Sequence, residues 1–332
     1  MANLDTLADL QDDEIRQNSG EFDQDTLADL EAKRKSVTSK LLELKILFAV
    51  LACAFIFLIF ISTGDFGMGF FGGAFVAIFG YGFFSGRVVG AFESEFKDKV
   101  ISHIIADISP NLVYEKKKFI EFDEFNAPKI YNSFYEIFKG NDLIYGVYDG
   151  VEIKFSDIYL GKLVRDPSHP NKPPRQEKIF QGIAFIADFN KNFTAKVIVL
   201  DKKNSRTSCN LKKTKMDNSE FNDVFNTHCD DEIAARYILT PNLMEKLLNM
   251  RKFFGVSCDF CFIENKIYAY INLGRDSFEA NLKIPLTGEN SAPLHHKKEI
   301  MQFIDIIENL KLNSKIFKPN FGSKAGQSEN DK

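Results

Sequence analysis

The chain has 332 residues, 45% hydrophobic and 27% charged, a balance that suits a packed protein and excludes a disordered one. With 20 Gly and 10 Pro lacking any period, and only 5 Cys, it is neither collagen-like nor a disulfide scaffold. The net charge of -4 names no partner, but residues 1–32 hold ten acids against Arg16 alone, so the remainder is net positive.

The acidic tail, 1–32, contains one hexapeptide twice, Asp5-Thr6-Leu7-Ala8-Asp9-Leu10 and Asp25-Thr26-Leu27-Ala28-Asp29-Leu30. In each copy Thr is followed three places later by Asp, which can start a helix. The copies read either as two recognition elements, with Leu7, Leu10, Leu27 and Leu30 as the apolar contacts, or as a duplication in a solvated tail. Acidity argues against lipid or nucleic acid as their ligand, since both are polyanions.

A basic flank and two apolar runs fill residues 33–91. Residues 46–62 and 66–85 contain no charge and reach roughly 25 and 30 Å as helices, against a hydrocarbon core of about 30 Å. Only Thr63, Gly64 and Asp65 separate them, so the chain is expected to cross a membrane, turn and return. A buried hairpin in a soluble core would rarely be apolar on every side. A cleaved signal peptide would need a short basic leader, where 45 residues with an acidic start precede the run. Lys33, Arg34, Lys35, Lys40 and Lys45 precede the first run and Arg87, Lys97 and Lys99 follow the second, which sets both termini in the cytoplasm.

In the second run Gly69, Gly73, Ala77 and Gly80 share a helical face, and Gly82, Gly86 and Gly90 another. Such spacing lets backbones approach, either within the hairpin or between two copies of the chain. Neither run carries an ionisable side chain, which argues against transport.

Residues 92–318 read as a cytosolic α+β domain able to fold alone, followed by a polar tail, 319–332. Phe92, Phe96, Val100, Ile104 and Ile108 make a helical stripe that can prolong the second span. Asp149-Gly150 predicts a hairpin with Ile144, Gly146 and Tyr148 opposite Phe155, Ile153 and Val151. Two more hairpins are expected, one turning at Asn190-Lys191-Asn192 and one at Glu264-Asn265. Thr240 and Pro241 start a helix that buries Leu243, Met244, Leu247, Leu248 and Met250; a last helix buries Ile300, Phe303, Ile304, Ile307 and Leu310.

Chemistry-bearing motifs are sparse. Cys258 and Cys261 have CxxC spacing, and His228 with Cys229, or His295 with His296, could complete a zinc site. Yet alternate strand residues face opposite ways, so Cys258 and Cys261 diverge, and free Cys is commonly a small buried hydrophobe. No nucleophile elbow, phosphate loop or dinucleotide fingerprint occurs, and no cofactor is expected. Lys202, Lys203, Arg206, Lys212, Lys213 and Lys215 form a basic cluster, read first as a solvated loop, then as a contact for anionic lipid, and last for nucleic acid.

The stretches GNDLIYGVYDGVEIKFSD (140–157), IFQGIAFIADFNKNF (179–193), FNDVFNTHCDDEIAARYILTPNLMEKLLNM (221–250) and the following CFIENKIYAYINL resemble a bacterial membrane-protein family, the domain-of-unknown-function family numbered 3137. The resemblance covers roughly residues 92–312 and implies an inner-membrane protein with a cytosolic domain of no assigned activity. It also implies LemA-type membrane proteins as neighbours and candidate partners, and it supplies no catalytic residues. The duplicated tail is outside it. The expectation is a non-catalytic binding or scaffold protein at the cytoplasmic face, against the alternatives of a membrane-anchored enzyme with an unrecognised active site or an anionic-lipid contact domain.

Overall fold

The computed structural model describes residues 24–131, 134–169, 171–288 and 290–316. The first copy of the repeated hexapeptide and the polar tail 319–332 lie outside the described residues. Two long helices come first, α1 (Gln24–Thr63) and α2 (Phe66–Ile108). Gly64, at φ +72°, ends α1 in the left-handed conformation that a glycine adopts without a Cβ clash. Asp65 then opens α2 by accepting a 3.1 Å hydrogen bond from the backbone N–H of Met68. Both helices are long and apolar enough to cross a membrane, and only 6% and 11% of their most apolar windows are buried by protein. A buried soluble hairpin would cover far more of those windows.

The two helices approach closely at Gly69, Gly73 and Gly80 of α2. A Cβ on Gly69 would stand 2.9 Å from the Ile56 carbonyl oxygen, and one on Gly73 2.9 Å from that of Ala52. On Gly80 it would collide with the Phe48 ring. Ala77 lies between them, half-buried, in a π-helical segment, Val76–Gly80. By contrast nothing lies within 4 Å of such an atom at Gly82, Gly86 or Gly90.

Beyond the apolar stretch α2 becomes part of the domain. Phe92, Phe96, Val100, Ile101, Ile104 and Ile105 are buried in the same core as the sheet. That core also takes in Leu30 of α1, wholly buried, with Leu27 and Val37 packed against it. A cut at residue 92 therefore removes side chains on which the domain packs. The second copy of the repeat lies against its own protein.

Seven antiparallel strands form one sheet among the described residues: β1 (Leu112–Glu115), β2 (Ile137–Tyr148), β3 (Val151–Val164), β4 (Arg175–Asp201), β5 (Lys212–Thr214), β6 (Phe225–Cys229) and β7 (Cys258–Ile271). They run β1-β2-β3-β4-β6-β5, with β7 also on β4. Thus β4, 27 residues long, is the spine: β7 pairs with Ile183 to Val199, β3 with Arg175 to Asp188, and β6 with Val197 to Asp201. The β2–β3 turn matches the sequence expectation, with Tyr148 opposite Val151, Gly146 opposite Ile153 and Ile144 opposite Phe155.

The other two expected hairpins do not form, because the chain runs straight through Asn190-Lys191-Asn192 and through Glu264-Asn265. Instead β4 and β7 pair with each other, and their polar stretches coincide: Asp188 faces Lys266, Phe193 faces Glu264, and the Asn265 amide donates to Asp188 at 2.6 Å. The register shifts there absorb residues that look like turns. Glu264, at φ +57°, acts as a bulge. Phe260 and Phe262 before it and Ile267, Ala269 and Ile271 after it all reach the same core, although the parity of the strand has changed.

Helices cover one face of the sheet: α2, α4 (Ser219–Val224), α5 (Glu232–Ile238), α6 (Pro241–Phe254) and α7 (Ala292–Ile316), the short α3 (Phe122–Asn126) serving the other. On the helical face Phe303 stacks on Phe185 with ring centroids 4.9 Å apart. α6 starts at Thr240 and Pro241 and buries the five expected residues, and α7 buries Ile300, Phe303, Ile304 and Ile307. The opposite core is aromatic, with Phe125, Tyr131, Phe180 and Tyr270 in mutual contact. Mixed helices and an antiparallel sheet make the fold α+β, as expected.

Candidate functional site

A connected set of buried ion pairs lies where the long helices meet the domain. In α2 the segment Lys97–Ile101 is π-helical, and Lys97 within it is buried. Its ammonium lies 2.7 Å from both Asp142 and Glu279. Asp142 is wholly buried at the register shift of β2, at φ +58°, and also accepts from the Tyr114 hydroxyl and, at 2.9 Å, from the Asn141 amide. Burial opposes the Lys97 charge, but the two carboxylates more than offset it, so its pKa lies above the ordinary lysine value. Burial pushes the Tyr114 hydroxyl up, and the Asp142 charge adds to it.

α1 docks alongside. Lys33 pairs with Glu95 at 2.7 Å, and Glu31 bridges Arg34 and the backbone N–H of Leu286 at 2.7 and 3.0 Å. Arg34 in turn donates to the Leu282 carbonyl. The Arg34 hydrogen bond is the main cause that holds the Glu31 carboxyl down to about 2. On α7, Glu299 is 2% exposed and accepts from His296 at 3.2 Å and His295 at 3.3 Å, while Lys297 pairs with Asp107 at 2.6 Å. Burial raises the Glu299 pKa, but the two histidine hydrogen bonds prevail and leave it at about 2. Between these groups opens a cleft of about 740 Å³ lined by Val89, Gln181, Arg275, Glu279, Lys283 and His295, among others. Such a mixed-charge, open cleft suits a polar peptide or headgroup better than a reaction that must exclude water.

Of the residues singled out from sequence, His295 and His296 reach this site beside Glu299, whereas the cysteines and His228 fall elsewhere. Cys258 and Cys261 are both buried but belong to the two opposite cores, as strand alternation requires. Burial raises both thiols, Cys261 to about 12, which makes them poor thiolates. Cys229 is buried with its thiol 3.6 Å from the Thr214 hydroxyl, and the His228 ring contacts the Leu211 carbonyl at 3.1 Å. Among the described residues no group of three or more metal-binding side chains converges.

The basic cluster lies at the far end of β4 from the cleft, since Val199 pairs with Phe260 and Gln181 lines the cleft. Lys212 is tied to Glu232 at 2.7 Å and Lys202 to the Asn222 carbonyl. Lys203, Arg206, Lys213 and Lys215 are exposed. This distance from the apolar helices gives the lipid reading of the cluster no support. Lys97, Asp142 and Glu279 escape a sequence reading because they are far apart in the chain; the signal available is a lysine flanking the buried stripe of α2.

Residues 178–312 match the model of a family described as protein of unknown function (DUF3137). The resemblance seen in the sequence is borne out over that segment, which runs from within β4 into α7. GNDLIYGVYDGVEIKFSD, in β2 and β3, precedes it. The crystal structure of the mycobacterial trehalose monomycolate transport factor A, TtfA, aligns with a TM-score of 0.33 at 10% identity, covering 59% of this chain and 86% of that one. No curated protein sequence matches the chain significantly.

Proposed function

We propose that the protein is a multi-pass scaffold of the bacterial cytoplasmic membrane, with both termini inside, whose α+β domain binds a partner through the cleft beside α1 and α2. One observation carries this reading: α2 is a single helix whose first half exposes Phe70, Phe71, Phe75, Phe79 and Phe83, whereas its second half is core. Exposing that many aromatic residues to water is costly, about 25 cal/mol for each Å² of apolar surface, and a bilayer removes the cost. Orientation follows from the basic residues that flank both apolar runs. The partner is a protein, and a LemA-type membrane protein is the class that the family resemblance suggests. Anchoring concentrates it at the bilayer.

Alkaline carbonate extraction tests the anchoring: the protein should stay in the membrane pellet. A Thr63→Cys variant should react with an impermeant maleimide from outside intact cells, and Cys209 only after the membrane is opened. Release into the carbonate supernatant, or labelling of Cys209 from outside, overturns the proposal.

A further inference from the structure

We propose that the β3–β4 hairpin is an arm that lies on the bilayer surface and binds anionic phospholipid headgroups through Lys162, Arg165, Lys172 and Arg175. The inference rests on the membrane reading above. Its first support is the direction of β4 relative to α2. Val89 lines a cleft with Gln181, Lys97 bonds Asp142, and soon after α2 ends Leu112 pairs with Gly146. Gly146 lies across from Ile153, and Ile153 from Ala187. Moving along α2 away from the apolar run is therefore moving along β4 from Gln181 towards Ala187. In reverse, β4 descends from Gln181 to Arg175, which pairs with Val164.

Lengths then place the arm. Val89 is four residues, about 6 Å, from Ser85 at the end of the apolar run. Gln181 to Arg175 covers about 20 Å of strand. The end of the hairpin thus reaches the headgroup layer, and a straight continuation would drive its charges into hydrocarbon. A register shift between Leu160 and Gly161 interrupts β3 at the level where the arm must bend.

Composition fits the location. Residues 162–175 hold four bases against Asp166 alone, together with four prolines. Arg165, Lys172 and Arg175 are exposed, and Lys162 is half-buried with a 3.6 Å contact to Glu177. Leu163 is 39% exposed. Phe134 is 75% exposed beside the arm, where Glu136 accepts from the Leu163 N–H at 2.7 Å. Bases with an exposed aromatic and an aliphatic side chain match the anionic, half-apolar interface of the inner leaflet.

The chain contains no Trp, so a single introduced Trp reports its own surroundings. Full-length Leu163→Trp protein, in bilayers containing phosphatidylglycerol and acyl-chain-brominated lipid, should show blue-shifted emission and quenching. Phe253→Trp, equally exposed at 39% but at the far end of α6, should show neither. Replacing the four bases by Gln, or the phosphatidylglycerol by phosphatidylcholine, should relieve the quenching. Identical emission from Leu163→Trp and Phe253→Trp, in protein that carbonate does not extract, overturns the inference and leaves the anchoring intact. Carbonate-extracted protein overturns the anchoring itself.

Discussion

Lys97 and Asp142 lie 2.7 Å apart, both buried, and join the helix that leaves the apolar hairpin to the second strand of the sheet. Removing the cation leaves a buried carboxylate unpaired, which costs about 3–5 kcal/mol. Lys97→Met should therefore lower the denaturation midpoint of the full protein in detergent strongly, and Lys97→Met with Asp142→Asn, which removes the unpaired charge but suits φ +58° and still accepts from Tyr114, should recover part of the loss. A single substitution that leaves the midpoint unchanged shows that the pair does not couple helix to sheet.

Leu30 is wholly buried, and it comes from a hexapeptide that reads as a recognition element or a solvated tail. Leu30→Ala should destabilise by about 2–5 kcal/mol, as large-to-small core changes do. Leu27→Ala, at a half-buried position, should cost less. Chemical denaturation of both variants checks the order.

Two buried carboxyls set the alkaline limit of stability. Asp157 accepts from the N–H and hydroxyl of Ser277, both at 2.8 Å, and Asp259 from the Asp201 N–H at 2.9 Å. Burial pushes both up to about 7. The folded chain thus holds protons that the unfolded chain releases, so their contribution is full below the ordinary value of 3.8 and lost as pH rises through about 7. Glu31 and Glu299, held at about 2, work in the opposite sense: they stabilise above 4.5 and cease to as pH falls towards 2. The unfolding midpoint should peak between these limits, and Asp157→Asn with Asp259→Asn should flatten the alkaline limb. A midpoint that climbs from about pH 6 to about pH 8 contradicts this assignment.

Gly73 and Gly86 distinguish the two small-residue faces of α2. A Cβ at Gly73 meets the α1 backbone at 2.9 Å, whereas at Gly86 it meets nothing within 4 Å. Gly73→Val should loosen the helix pair, seen as weaker disulfide crosslinking between cysteines placed near opposite ends of the hairpin. Gly86→Val should leave it unchanged in the isolated monomer.

Local signals in this chain are read well wherever one stretch of sequence carries the whole cause. The Asp149-Gly150 turn fixes its own register, Thr240-Pro241 caps its own helix, and the apolar stripe from Phe92 marks its own buried face. Asn190-Lys191-Asn192 and Glu264-Asn265 mislead for the opposite reason. Each is polar enough for a turn, but the two lie side by side on neighbouring strands, and a bulge accommodates both. The basic cluster of 202–215 reads first as a solvated loop and second as a lipid contact, and local sequence cannot place it; the register of β4 sets it at the far end of the sheet.

By itself the sequence determined the two apolar helices, their tight turn and the α+β class, since hydrophobic runs and capping residues act over a few neighbours. Only the tertiary structure decided that Lys97, Asp142 and Glu279 meet and that Leu30 of the second DTLADL copy is core. It also decided that the basic residues 202–215 follow the end of β4 remote from Gln181. Those facts depend on contacts between residues far apart in the chain, where no local free-energy preference is recorded.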